Sequence, residues 1–132
     1  MIKTTGLTNM DCLIDEVMKH DVTKASRDKV LLVIEDYLEE CTEYWVDGVQ
    51  AGYALIFNFN GIRSFDGYKM IKGYTLAAYR IAKAMVDKHP DVMLAFTANN
   101  HSVRRLGEML GFKETLRMGN KIKMERSYES AQ

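Results

Sequence analysis

Two dipeptides, Asp47-Gly48 and Asn60-Gly61, constrain this chain more than any other feature. Each is a strong two-residue hairpin signal, because both central residues of the favoured turn need positive φ, which Asn, Asp and Gly tolerate best. They separate runs rich in β-branched and aromatic residues: Thr42 up to Val46, Val49 to Phe57, and Ile62 to Phe65. Three antiparallel strands in succession are therefore predicted. Next comes an amphipathic helix from Gly73 to Lys88, with Tyr74, Ala77, Ala78, Ile81 and Met85 on one stripe. His89-Pro90 stops it, since proline cannot continue the hydrogen-bond ladder. Val92 to Ala98 is apolar almost throughout and reads as a strand buried on both faces. The helix between these strands makes a crossover, so the strands at Ile62–Phe65 and Val92–Ala98 are expected to run parallel.

The flanks complete the pattern. Met1 to Leu7 reads as a short strand. Thr8 then fits an N-cap with Asp11 three positions on, ahead of Leu13, Ile14, Val17 and Met18 at helical spacing. A second helix is predicted from about Ser26 to Glu40, its Arg27, Asp28, Glu35, Asp36 and Glu39 forming a solvated side. Toward the other end, Asn99-Asn100 opens a helix carrying Val103, Leu106 and Leu110, and Gly111 closes it. Lys113 to Met118 and Lys121 to Glu125 form a last hairpin around Gly119-Asn120. The expected order is β-α-α-β-β-β-α-β-α-β-β, an α/β (α+β) mixed sheet with helices on its faces. Without repeats, low-complexity tracts or linkers, residues 1–132 read as one domain.

Composition limits the function classes. Lysine plus arginine number 18 and aspartate plus glutamate 18, so no global field draws the chain to nucleic acid or to an anionic membrane. No strong nucleic-acid binding is expected. No apolar run approaches the roughly 20 residues of a membrane span, and Met1 to Thr8 is too polar for a signal peptide. A cytoplasmic protein is expected, and packaging in a virion would leave the same signature. Cys12 and Cys41 each lie in an apolar-rich stretch with no C-x-x-C pair, which reads as two reduced, buried thiols and no metal site.

The element order resembles that of the GCN5-related N-acetyltransferases (GNAT), and residues agree with it. Leu94 to Asn100, then His101 to Leu110, then Gly111-Phe112 is similar to the family's apolar strand, asparagine, helix with a Leu-Tyr-Glu segment, and Gly-Phe. With Asn100 as the family asparagine, Leu106, Glu108, Gly111 and Phe112 fall in register without a gap. The resemblance implies that strands four and five splay apart and that acetyl-CoA, the co-substrate, lies between them. It also implies that backbone N–H groups at the start of the third helix hold the pyrophosphate, an anion favoured by unpaired amides and the helix dipole. Lys69, Lys72, Gly73, Tyr74 and Asn100 are the cofactor-binding residues so implied.

Two positions depart from the family pattern. Where its phosphate loop has a first glycine, this chain has Ile71, whose branched side chain obstructs close approach. Where many members carry a tyrosine that protonates the leaving thiolate, this chain has Gly107. Candidates for the base that takes the amine proton are His101, Glu43 and Asp66, with Asp66 before Gly67 reading as turn chemistry. Tyr44, Trp45, Tyr53, Tyr68 and Tyr74 form an aromatic set expected around the cleft. Arg104 and Arg105, with Arg80, could make a small basic patch.

The expected function is acyl-CoA-dependent N-acyl transfer, with an amine attacking the thioester directly. Two alternatives stand beside it. One is a GNAT-fold protein without catalysis that acts as a structural or interaction module; in its size, its Lys69/Lys72 loop and its Asn100-His101-Ser102 segment the chain also resembles short acetyltransferase-like proteins of tailed phages. The other is a CoA-binding sensor without turnover. A homo-oligomer or an association with virion proteins would suit the structural alternative.

Overall fold

The computed structural model describes residues 1–19, 26–68 and 73–126. Its elements are β1 (Ile2–Thr5), α1 (Met10–Lys19), α2 (Arg27–Tyr37), β2 (Leu38–Val46), β3 (Val49–Phe59), β4 (Ile62–Tyr68), α3 (Thr75–Lys88), β5 (Leu94–Thr97), α4 (His101–Met109), β6 (Lys113–Met118) and β7 (Lys121–Glu125). This is the expected order. Both dipeptides make the turns their composition demands, with φ of 50° and 82° at Asp47 and Gly48 and of 57° and 97° at Asn60 and Gly61.

The strands form two sheets, ordered β1-β2-β3-β4 and β5-β7-β6, with antiparallel pairing inside each. They meet at one parallel step, where Ser64 faces Met93. There Phe65 N–H donates to the Met93 carbonyl at 2.9 Å and Met93 N–H to the Arg63 carbonyl at 3.0 Å. Arg63 also ties the elements around this junction through its side chain. It binds Glu39 with two nitrogens, at 2.8 and 3.0 Å, and Asp91 with a third at 2.9 Å.

β3 explains why helices cover both faces of the first sheet. Its residues Ala51 to Phe57 are all buried. Tyr53, Leu55 and Phe57 pack against Leu13 and Ile14 of α1 and Val30 and Ile34 of α2. Ala54 and Ile56 point the other way, to Ala82, Met85 and Val86 of α3. Period-two alternation thus serves two cores at once. We call the α1/α2 side of the sheets the outer side and the α3/α4 side the inner side.

The structure corrects several local expectations. α2 ends at Tyr37 rather than Glu40, and β2 begins at once, because Glu40 and Cys41 pair with Ile56 and Leu55. The cap of α1 is Asn9, whose side chain accepts from Cys12 N–H at 3.1 Å. Thr8, the expected cap, instead donates its N–H (2.8 Å) and hydroxyl (2.9 Å) to Glu43. Cys12 is exposed and Cys41 half-buried. Burial, and then the nearby Glu43, push the Cys41 thiol up to about 12. β5 is buried on its inner face only, since Ala95 on the outer face is exposed. Among the described residues no helix is long and apolar enough to cross a membrane.

Candidate functional site

Beyond the Ser64–Met93 step, β4 and β5 part company. β5 continues by pairing with β7, while β4 has β3 on its other side, so among the described residues no strand fills the space between them. The result is a cleft of about 450 Å³ lined by Phe65 to Tyr68 of β4, Leu94 to Thr97 of β5, and residues of the α4 segment including Asn100, Ser102, Val103 and Leu106. Its size suits a small-molecule site. The expected parallel, splayed strands four and five are thereby found.

The alternation of β4 assigns each lining group a direction. Phe65 belongs to the inner core, so Asp66 and Tyr68 stand on the outer side, as does Leu55, the cross-strand partner of Asp66. Since Phe65 directs its N–H toward β5, Gly67, two residues on, directs its own backbone the same way. Among the described residues no strand lies beside it there. The cleft therefore passes through the sheet, with a free main-chain edge on its β4 wall, α4 on the inner side and Asp66 on the outer side.

Asp66 is the one titratable candidate that reaches this cleft. It is not in a turn but inside β4, whose ladder continues to Tyr68. Protein walls it on most sides, and removal from water pushes its carboxyl up to about 6. Glu43 is 1% exposed and bound by Thr8, so its oxygens are already used in holding the α1 entry to β2. His101 is exposed at the start of α4 and does not line the cleft.

The implied cofactor residues fall into three groups. Lys69, Ile71 and Lys72 lie outside the described residues. Gly73, with φ of 99°, and Tyr74, the N-cap residue, lead into α3, and among the described residues no side chain caps that helix start. Asn100 lines the cleft, and its side-chain oxygen accepts from Val103 N–H at 3.2 Å, capping α4. Of the aromatic set only Tyr68 lines the cleft. Tyr44 and Tyr53 are core residues, Tyr74 packs against Ala77 and Ala78, and Trp45 sits beside Lys3 on the β1 edge. Arg104 is paired with Glu108 and Glu114 and so offers little free charge.

The α4 motif behaves as its residues suggest. Gly111 has φ of 89°, and Phe112 N–H donates to the Gly107 carbonyl (2.9 Å) while Gly111 N–H donates to that of Glu108 (3.1 Å), a Schellman ending. Gly107 is buried on the face of α4 that meets the sheet. A β-carbon there would stand 2.8 Å from Leu94 Cδ1 and 3.2 Å from Met124 Sδ. The space a tyrosine would need is thus filled by Leu94 and Met124. Tyr68 lines the cleft as expected of the aromatic set, whereas Gly67 and Ala95 are lining residues that the sequence did not single out. The alternation Ser64-Phe65-Asp66-Gly67-Tyr68 carried the signal for Gly67, obscured by the turn-like Asp-Gly pair.

Among the described residues no cluster of three or more His, Cys, Asp or Glu side chains could hold a metal ion. No protein-family model matches the sequence, and no curated protein sequence matches it significantly. Solved structures do match. The ribosomal-protein-S18-alanine N-acetyltransferase of Escherichia coli superposes with a TM-score of 0.64 at 15% identity, over 94% of this chain and 92% of its own. The N-acetyltransferase PseH of Campylobacter jejuni, in complex with acetyl coenzyme A, gives 0.64 at 14% identity over 94% and 96%. The PaiA N-acetyltransferase of Thermoplasma acidophilum, in complex with coenzyme A, gives 0.64 at 12% identity over 97% and 99%. Strand splay, cleft and superposition agree that this chain has the GNAT fold.

Proposed function

We propose that the chain is an acyl-CoA-dependent N-acyltransferase that moves an acetyl group from acetyl-CoA to an amine by direct attack. The observation that carries this reading is the parting of β4 and β5 just past Ser64–Met93, which opens a passage through the sheet with Asp66 on one side. Acetyl-CoA would supply the activated acyl group as a thioester. The residues present suit it: Gly67 directs a backbone N–H toward the passage that no described strand pairs with, and among the described residues no side chain caps the amides at the start of α3. Gly67 N–H would polarise the thioester carbonyl. Lys69, Lys72, Gly73, Tyr74 and Asn100 would bind the pyrophosphate arm and flank the pantetheine. Asp66 would take the proton of the incoming amine, for which a carboxyl near 6 is well placed at neutral pH.

Gly107 favours a second reading, acyl-CoA binding without turnover. No tyrosine stands on α4 to protonate the leaving thiolate, and Leu94 fills its place. Calorimetry with acetyl-CoA followed by acetyl transfer to a panel of amines separates the two. Binding with transfer supports the enzyme, binding alone supports the second reading, and the absence of binding at millimolar ligand refutes both.

A further inference from the structure

The second sheet is covered on one side only. Its inner face, with Leu94, Phe96, Ile122 and Met124, packs into the core under α3 and α4. Its outer face carries no helix among the described residues. Register identifies what stands there: Ala95 of β5, Lys123 of β7 and Leu116 of β6 form one transverse row, and Thr97, Lys121 and Met118 form the next. Lys113 and Glu125 pair beyond them. Ala95, Leu116, Met118, Lys113 and Lys121 are exposed.

This face is basic. Among the described residues Glu125 is its one carboxylate; it lies 3.6 Å from Lys123 and also accepts from Thr115 at 2.7 Å. Among the described residues no carboxylate pairs with Lys113 or Lys121. Lysines on an edge strand commonly serve to discourage pairing with another chain, which would account for Lys113 on β6. That explanation does not reach Lys121 and Lys123, because β7 lies between β5 and β6 and has no free edge. The face also runs straight into the cleft: Ala95 and Thr97 belong to it and line the cleft opposite Asp66 and Tyr68.

We propose that the acyl acceptor is an acidic polypeptide segment laid across the outer face of β5, β7 and β6. Its carboxylates meet Lys121 and Lys123, its apolar side chains meet Leu116 and Met118, and its primary amine reaches Asp66. This rests on the acyltransferase reading of the cleft. Adjacent strands are about 4.8 Å apart, and the splayed gap is wider, so β7 lies roughly 10–15 Å from Asp66, or about 3–4 residues of extended chain. A small amine would leave that surface unused. Nucleic acid suits it less, since the rows on β5, β7 and β6 carry no aromatic residue on which successive bases could stack, Tyr68 across the cleft being the one aromatic at their margin.

The test uses the full chain, acetyl-CoA and two fluorescent peptides of equal length with one lysine each. One peptide has Asp and Glu three and four residues from that lysine; the other has Asn and Gln there. The expected result is about tenfold or greater preference for the acidic peptide in kcat/KM. The double variant Lys121→Glu, Lys123→Glu should remove the preference while circular dichroism and acetyl-CoA binding stay as in the wild type. Equal use of both peptides, or a preference unchanged in the double variant, overturns the proposal and leaves the acyltransferase reading intact. If no amine is acetylated, peptide anisotropy still decides: selective binding of the acidic peptide, lost in the double variant, supports the surface, and equal binding overturns it. Single-stranded RNA binding this face more tightly than the acidic peptide also overturns it.

Discussion

Gly107 on α4 lies so close to Leu94 on β5 that a β-carbon at position 107 would stand 2.8 Å from Leu94 Cδ1. The two residues share one space, so a larger side chain at one position requires a smaller one at the other. Gly107→Tyr alone should cost about 1–3 kcal/mol through overpacking. Leu94→Ala alone should cost about 2–5 kcal/mol through loss of buried surface and the cavity left behind. Combined, they should cost less than the sum by about 0.5–3 kcal/mol, as residues in contact do. Urea unfolding of the four proteins measures this, and additive losses would show that the two positions do not exchange volume.

Asp66 makes a prediction whose sign is fixed by the direction of its shift. Its folded-state carboxyl is raised to about 6 by burial, above the ordinary 3.8. Between those values the folded protein holds the proton more tightly than the unfolded chain, so the contribution to stability falls as pH rises through that window. Asp66→Asn should therefore stabilise the protein at pH 8, by about 1–3 kcal/mol, and the gain should vanish below about pH 4. Thermal unfolding across pH checks it.

The same residue should govern the rate. With Asp66 as base, acetyl transfer should rise with pH as its carboxyl ionises and level off on the alkaline side of about 6. Asp66→Asn should lower kcat by about 10²–10⁴ with little change in acetyl-CoA affinity. A variant of undiminished kcat would remove Asp66 from the reaction.

Glu43 should behave in the opposite manner. Its carboxylate receives the Thr8 N–H and hydroxyl while only 1% exposed. Glu43→Ala leaves those donors without their acceptor and should cost about 1–3 kcal/mol, with Glu43→Gln milder because it retains an oxygen. The folded fraction of each variant should keep its specific activity, measured against denaturant stability on the same samples.

Local chemistry made much of the fold legible. Asp47-Gly48 and Asn60-Gly61 have few conformations open to them, and the turns they form deliver β2, β3 and β4 as a meander. Gly111-Phe112 likewise ends α4 because a positive-φ residue there satisfies the last carbonyls. Where two outcomes lie close in local energy, pairing decided. Leu38, Glu39 and Glu40 continue a helical pattern, yet β3 claims them as strand, since ladder hydrogen bonds to Ile56 and Phe57 outweigh one more helical turn. Asp66-Gly67 has turn composition, yet β3 holds both residues extended through Leu55 and Ala54.

The candidate site divides in the same way. The order of elements, the caps at Asn100 and Gly111, and the glycine in place of a tyrosine at position 107 were legible in the residues alone, since each depends on neighbours along the chain. It took the packed fold to bring β4 and β5 together at Ser64–Met93 and then part them, to put Asp66 rather than Glu43 or His101 at the opening, and to fill the space beside Gly107 with Leu94. The reason is physical. Ionisation and access depend on what excludes water from a group, and for Asp66 the excluding atoms come from strands and helices distant in sequence.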